Sequence, residues 1–201
     1  MPDHDVQAFI EIMHAMTLPA ASRLAEQPVF DRIRRLLDVA GGSGSLSLAI
    51  ASRHPEVRCT VMDLKPVCRI AERHVRDRGL SDQITVTARD MFKNPWLSGF
   101  DGLLFGNIFH DWDLESCGFL ARRAFDALEP GGTICLHEML LNEKKDGPLT
   151  VALCPVAMLL HEKGKQFTPS ELETLLADAG FRNIQVTRSF GYYSLVTAAK
   201  E

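Results

Sequence analysis

The run Asp38-Val39-Ala40-Gly41-Gly42-Ser43-Gly44 stands between the strand-like Leu36-Leu37 and the helix-like Leu46-Ser47-Leu48-Ala49-Ile50. A strand that breaks into glycines and resumes as a helix restricts the fold to a strand–turn–helix unit. Such a turn brings bare backbone against a ligand, because glycine reaches dihedrals closed to other residues and leaves no Cβ in the way. A second acid, Asp63, lies nineteen residues after Gly44 and ends the strand-like run Val57-Arg58-Cys59-Thr60-Val61-Met62. An acid at the tip of a second strand is placed to bond both hydroxyls of a ribose. Together they point to a nucleoside ligand; the plainer alternative is a glycine turn in an α/β protein that binds none.

The choice among nucleosides turns on what surrounds the glycines. A dinucleotide site has the pattern G-x-G-x-x-G, and Gly42-Ser43-Gly44-Ser45-Leu46-Ser47 lacks its third glycine. An acid at the front of the loop, Asp38, suits a cationic ammonium better than phosphates. S-adenosylmethionine fits this pattern, and a nicotinamide dinucleotide fits it poorly. Gly41, Gly42, Gly44 and Leu64, which follows Asp63, complete the cofactor-binding set expected around the loop.

Composition narrows the class further. A chain of 201 residues that is 46% hydrophobic can bury one full core, so one catalytic domain is expected. The net charge is −4 and the basic residues are scattered, which leaves no nucleic-acid footprint. Cys59, Cys68, Cys117, Cys135 and Cys154 show no C-x-x-C spacing and read as reduced thiols, and no metal-ligand set is expected. The acidic start Met1-Pro2-Asp3-His4-Asp5 is unlike a signal peptide, and no apolar run reaches about 18 residues. A soluble, cytoplasmic enzyme with no membrane contact is the expectation.

Strand and helix signals alternate along the chain. Apolar spacing at Phe9, Ile12, Met13 and Met16 predicts a first helix, with a short second one over Ala20–Glu26. Strands are expected over Arg35–Val39, Val57–Asp63, Ile84–Ala88, Asp101–Phe105 and, after a Glu129–Gly132 turn, Thr133–Leu140. Helices are expected over Leu46–Arg53, Pro66–Arg78, Leu114–Leu128 and Leu149–His161. Thr168 caps a last helix with Pro169 in its first position, ending at Gly180. Asn183–Arg188 and Tyr192–Ala198 then read as an antiparallel hairpin. The fold class is α/β: a doubly wound, mostly parallel, Rossmann-like sheet of seven strands, closed by that hairpin. Ligands of such sheets sit at the carboxyl ends of the strands.

The polar candidates fall at those ends. Asp90-Met91 closes the third strand, where the acid could accept from an adenine amino group and Met91 or Phe92 could cover the ring; an ordinary strand exit explains them equally well. The fourth strand runs into Gly106-Asn107-Ile108-Phe109-His110-Asp111-Trp112. Imidazole titrates near neutral pH, so His110 at the mouth of a nucleoside site is a candidate general base, although a lone His is more often structural. Glu138, ending the fifth strand, could bond the other ring nitrogen and orient it; a solvent-facing or capping acid is its alternative.

These residues, with Pro130-Gly131-Gly132 and Phe167-Thr168-Pro169-Ser170-Glu171-Leu172, resemble the class I S-adenosylmethionine-dependent O-methyltransferases. More narrowly, the chain is similar to the family of plant caffeic acid and flavonoid methyltransferases, vertebrate acetylserotonin methyltransferase and bacterial polyketide-tailoring relatives. The likeness runs from about Phe9 onward. It implies that residues 31–201 are a methyltransferase domain preceded by linking helices over 1–30. It implies that His110 deprotonates a hydroxyl of a small-molecule acceptor with Glu138 in support. Gly42, Asp63, Asp90 and Met91 would contact the cofactor, and Gly106 and Asn107 would stand where relatives can carry a long basic residue near it. Met13, Met16, Met158 and His161 are the candidates for the substrate side.

The departures from the family carry their own expectations. Ala40 replaces the usual first glycine of the loop, a costly change if its φ is positive. Gln166 stands where relatives often place a second glutamate, which would leave His110 with one acidic partner. The family's N-terminal dimerisation domain is not recognised in the sequence, so a homodimer or a separate protein partner is expected at the N-terminal helices. Two other readings stay open: a non-catalytic or partner-dependent paralogue, and an N- or C-methyltransferase.

Overall fold

The computed structural model describes residues 3–158 and 164–201, with side chains except those of 3 and 154–158. Seven strands form one sheet: β1 Arg35–Val39, β2 Arg58–Asp63, β3 Ile84–Ala88, β4 Phe100–Gly106, β5 Leu128–Met139, β6 Arg182–Phe190 and β7 Tyr193–Ala199. Their spatial order is β3-β2-β1-β4-β5-β7-β6. Strands β1 to β5 pair in parallel, whereas β7 is inserted between β5 and β6 and runs antiparallel to both. The hairpin read from the sequence therefore closes one edge of a doubly wound sheet. Strand order reverses between β1 and β4, and the crevice at that switch point is where such sheets bind ligands.

The described residues include the helices α1 Asp3–Leu24, α2 Ser45–Arg53, α3 Lys65–Asp77, α4 Leu114–Ala127, α5 Leu149–Met158 and α6 Pro169–Asp178. One face of the sheet packs on α4 and α6 through Leu120, Ala124, Leu172 and Leu176; the other packs on α1, α2 and α3 through Leu24, Leu48, Ile50 and Val75. A strand covered on both faces needs no alternation, and Leu36, Leu37 and Val39 of β1 are all fully buried. The Thr168 cap is a complete capping box with Glu171. Together with Asp113, which accepts from Ser116 N–H at 2.8 Å ahead of α4, it fixes two helix starts worth about 1 kcal/mol each.

Two local expectations are corrected. The first two helices are one, with Pro19 inside it. Burial of Ala20, Ala21 and Leu24 holds the helix together through a residue that ordinarily ends one. Strand β5 starts at Leu128 rather than after a turn, because Leu128 pairs with Phe100 and the Gly131-Gly132 segment bonds the backbone of Lys200 at 2.7 and 2.9 Å. Strand β3 ends at Ala88, so Asp90 and Met91 lie in the turn beyond it. Among the described residues, no helix is long and apolar enough to cross a membrane.

Candidate active site

The end of β1 delivers Asp38 into the interior. Its carboxyl is 1% exposed, Oδ2 accepts the Ser47 hydroxyl at 2.6 Å, and Oδ1 has no donor among the described residues. Burial raises its pKa to about 7 against the lowering effect of the Ser47 bond, with the Asp63 charge adding to the rise. Gly41 packs so closely that a Cβ there would sit 2.7 Å from Asp38 Cγ. The loop then turns through left-handed backbone at Ala40 (φ 52°), Gly42 (59°) and Gly44 (78°). Ala40 thus adopts the conformation that makes its departure from glycine costly.

Asp63 ties this loop to the next unit. Its Oδ2 accepts Gly42 N–H at 2.8 Å and its Oδ1 accepts Leu64 N–H at 2.6 Å. Burial raises its pKa, opposed by those two backbone bonds. Asn107, leaving β4, is a second strained residue (φ 58°); its N–H donates to His137 at 3.0 Å and its buried Oδ1 has no donor among the described residues. Met13, Asp38, Gly42, Asp63, Asn107 and Ile108 line one cleft. A cationic amino-acid group would give Asp38 and Asn107 the donors they lack, whereas a phosphate would meet a carboxylate. The residues present therefore fit S-adenosylmethionine.

A neighbouring hollow shares Ala40 and Asp63 with this cleft and is completed by Leu64, Asp90, Met91, Phe92 and Trp112. Asp90 Oδ1 accepts the N–H groups of Phe92 and Lys93 at 2.9 and 3.3 Å, and Oδ2 pairs with Lys93 Nζ at 3.2 Å. The Phe92 bond chiefly holds the Asp90 pKa below its ordinary value. Arg123, on α4, donates to the carbonyls of Met91 (2.9 Å), Phe92 (3.2 Å) and Asn94 (2.5 Å), with Trp96 and Phe119 against its guanidinium. Sequence reasoning missed Arg123, because only the fold brings α4 to this turn.

At the mouth, β4 ends in a tight turn, Phe109–Asp111, that presents His110. His110 Nδ1 lies 2.6 Å from Oε2 of Glu138, whose Oε1 accepts the N–H groups of Ile108 and Phe109 at 2.9 and 2.8 Å. One buried carboxylate thus sets both the turn and the ring. His110 Nε2 lies 3.0 Å from Asp111 Oδ1. The expectation of a single acidic partner is corrected: Asp111 supplies the second carboxylate, while Gln166 is buried with Oε1 lacking a donor among the described residues. Burial opposes charge on the ring, but Glu138 and Asp111 together outweigh it and raise the His110 pKa far above its ordinary value. The two carboxylates thus favour the protonated ring.

Of the four substrate-side candidates, Met13 lines the cleft with Phe9 and Thr17, one helical turn away on either side. Met16 is 68% exposed and is not among the residues that line this cleft. The Met158 side chain and His161 lie outside the described residues. Among the described residues, no His, Cys, Asp and Glu cluster could hold a metal ion.

The O-methyltransferase domain family model matches residues 3–182. A 3-hydroxy-5-methyl-1-naphthoate 3-O-methyltransferase of Streptomyces sahachiroi is 32% identical over 182 residues, covering 90% of this chain and 53% of that protein. An L-tyrosine C(3)-methyltransferase of Streptomyces lavendulae is 31% identical over 177 residues, covering 87% and 48%. The crystal structure of human N-acetylserotonin methyltransferase in complex with S-adenosylmethionine superposes with a TM-score of 0.88 at 28% identity, over 98% of this chain and 56% of that one. The chain spans about half the length of the curated relatives it matches. By fold and by sequence, this chain belongs to the O-methyltransferase domain family.

Proposed function

We propose that the chain binds S-adenosylmethionine in the cleft at the ends of β1, β2 and β4 and methylates a hydroxyl, phenolic in character, on a small molecule. The observation that carries this reading is the imidazole of His110 held between Glu138 and Asp111 beside a cleft with unpaired acceptors. Asp38 and Asn107 hold the ammonium, Asp63 the ribose, and Gly41, Gly42 and Gly44 let backbone approach. Leu64 and Met91 face the adenine, and Asp90 shapes the wall around it. The bound cofactor supplies a sulfonium methyl that needs no further activation.

His110 is the general base. The ring is competent only after its Nε2 proton has passed to bulk water, so turnover should climb with pH towards the raised value; the neutral ring so formed is basic enough to take the proton of a phenol. Glu138 keeps the Nδ1 proton and the ring's orientation. The rest of the acceleration comes from holding acceptor and methyl in line. A screen of catechols and hydroxylated polyketides with methyl-labelled S-adenosylmethionine tests this reading. His110→Ala should lower turnover by about two to four orders of magnitude with affinity for S-adenosylhomocysteine intact. An equal loss of that affinity would instead make His110 part of the cofactor wall. A chain that binds cofactor and methylates none of the panel would favour a partner-dependent paralogue.

The tyrosine C(3)-methyltransferase among the relatives favours one second reading, carbon methylation. A phenolate made by His110 is nucleophilic at its ortho carbon as well as at oxygen, and NMR of the labelled product separates the two. The reading extends to a partner: Phe9, Ile12 and Met16 of α1 are exposed at 54%, 59% and 68%, a surface suited to a second copy or a separate subunit. Sedimentation at micromolar concentration checks it, a strict monomer with full activity being the contrary result. A reducing compartment such as the cytoplasm suits the free, buried Cys59, Cys68, Cys117 and Cys135.

A further inference from the structure

One cluster beside the cleft takes no part in the chemistry above. His14 is 9% exposed, and its Nδ1 lies 2.8 Å from the hydroxyl of Ser43, inside the glycine loop. Its ring stacks on His74 of α3 with centroids 4.0 Å apart and an interplanar angle of 12°. His74 Nε2 lies 3.1 Å from one oxygen of Glu11, whose other oxygen pairs with Arg73. Three elements therefore meet at His14: α1, the glycine loop and α3. The helix that carries it also lends Phe9, Ile10, Met13 and Thr17 to the cleft opposite Asp38, Gly42 and Asn107. The contacts of His14 are the polar link between that helical wall and the loop that faces it.

We propose that His14 is a positioning residue for the cofactor: it fastens α1 across the cleft by bonding Ser43 and stacking on His74, and acid loosens the fastening. The inference rests on the cofactor reading above and adds a residue and a pH dependence to it. A protonated ring still donates to Ser43, so the hydrogen bond alone does not respond to acid. The stack does, because charge gained by the buried His14 ring is stripped of water and pressed against His74. Charge on His14 meets burial, His74 and Arg78, all of which lower its pKa, against Glu11, which raises it. Arg73 draws on the same Glu11 and weakens that compensation. A depressed pKa in the fastened state means that the fastening is complete above about pH 6.5, the ordinary imidazole value, and is lost as pH falls below it.

Calorimetric titration with S-adenosylhomocysteine, at pH 8.0 and at about pH 5.8, tests this on the full chain. Ser43→Ala removes the bond with little change in volume and should weaken binding about three- to tenfold at pH 8.0. His14→Asn places an amide near Nδ1 that bonds Ser43 without titrating but gives up the stack on His74, so its affinity at pH 8.0 should fall between those of the wild type and Ser43→Ala. Between the two pH values the wild type should lose at least about threefold more affinity than His14→Asn. Proton uptake at Asp38 is common to both proteins and cancels in that ratio. Parallel pH curves for the two, or a Ser43→Ala chain that binds like the wild type at pH 8.0, would overturn the proposal while leaving the cofactor reading in place. A wild-type chain that binds no S-adenosylhomocysteine at either pH would overturn both.

Discussion

Replacing Asp111 by Asn removes one charge from beside His110 while keeping an acceptor oxygen 3.0 Å from Nε2. Two unit charges about 4 Å apart interact by about 4 kcal/mol at an effective dielectric constant of about 20. Asp111 is 31% exposed, and solvent screening on that scale halves the figure to about 2 kcal/mol. At about 1.4 kcal/mol per pH unit, the titration midpoint of His110 should fall by about 1.5 units in Asp111→Asn. The assay is NMR of the imidazole nitrogens across the alkaline range, which needs no acceptor substrate. The wild-type ring should remain protonated past pH 8, and the variant should titrate measurably earlier. Stability follows the same sign. The His110 pKa is raised above its unfolded value of 6.5, so the clamp stabilises fully below about pH 6.5 and loses its effect as pH climbs through the raised value. A wild-type ring that titrates near pH 6.5, or equal midpoints in the two proteins, would show that these carboxylates do not govern the base.

Three further outcomes are expected. Asp63→Ala should weaken S-adenosylhomocysteine binding by about 1–3 kcal/mol, and unchanged affinity would remove Asp63 from the site. Below pH 7, where the buried Asp38 holds its proton, binding of S-adenosylmethionine should release that proton. Calorimetry in two buffers of different ionisation enthalpy reads the release, which Asp38→Asn should abolish. Ala40→Gly should relieve about 1–2 kcal/mol of left-handed strain and give back about 0.4–1 kcal/mol to unfolded-chain freedom. After the loss of one half-buried methyl, the net gain is about 0.5 kcal/mol, seen as a rise of about 1–2 °C in melting temperature; a lower melting point would show that the Cβ packs better than its backbone suffers.

What was legible in the sequence was local. Asp38–Gly44 and Asp63 announced themselves because strand, glycine turn and strand-end acid are written within 26 residues, and Thr168-Pro169 with Glu171 names its own helix start. The imidazole and its Glu138 partner followed from their places at the ends of adjacent strands, β4 and β5. The remainder depends on distance. Asp111 is next to His110 in the chain, yet whether neighbouring side chains meet is decided by the turn at Phe109–Asp111, which Glu138 sets from β5. Arg123 and His14 act across 29 residues or more, and neither belongs to a local pattern. The expected division at Ala20 failed in the other direction, since tertiary burial carries one helix through Pro19, a residue that ends most helices.

The turn that Arg123 holds has an optical consequence. The chain contains two tryptophans, and both border that turn. Trp96 donates its indole N–H to Met91 O at 2.8 Å beneath the Arg123 guanidinium, and Trp112 meets Phe92 edge-on at 4.5 Å. All of the tryptophan emission therefore arises beside the wall formed by Met91 and Phe92, and none from the far edge of the sheet. The protein carries a built-in fluorescent gauge for that wall. Ligands that engage it should shift the emission, and Trp96→Phe and Trp112→Phe would divide the signal between the carbonyl side of the turn and its aromatic side.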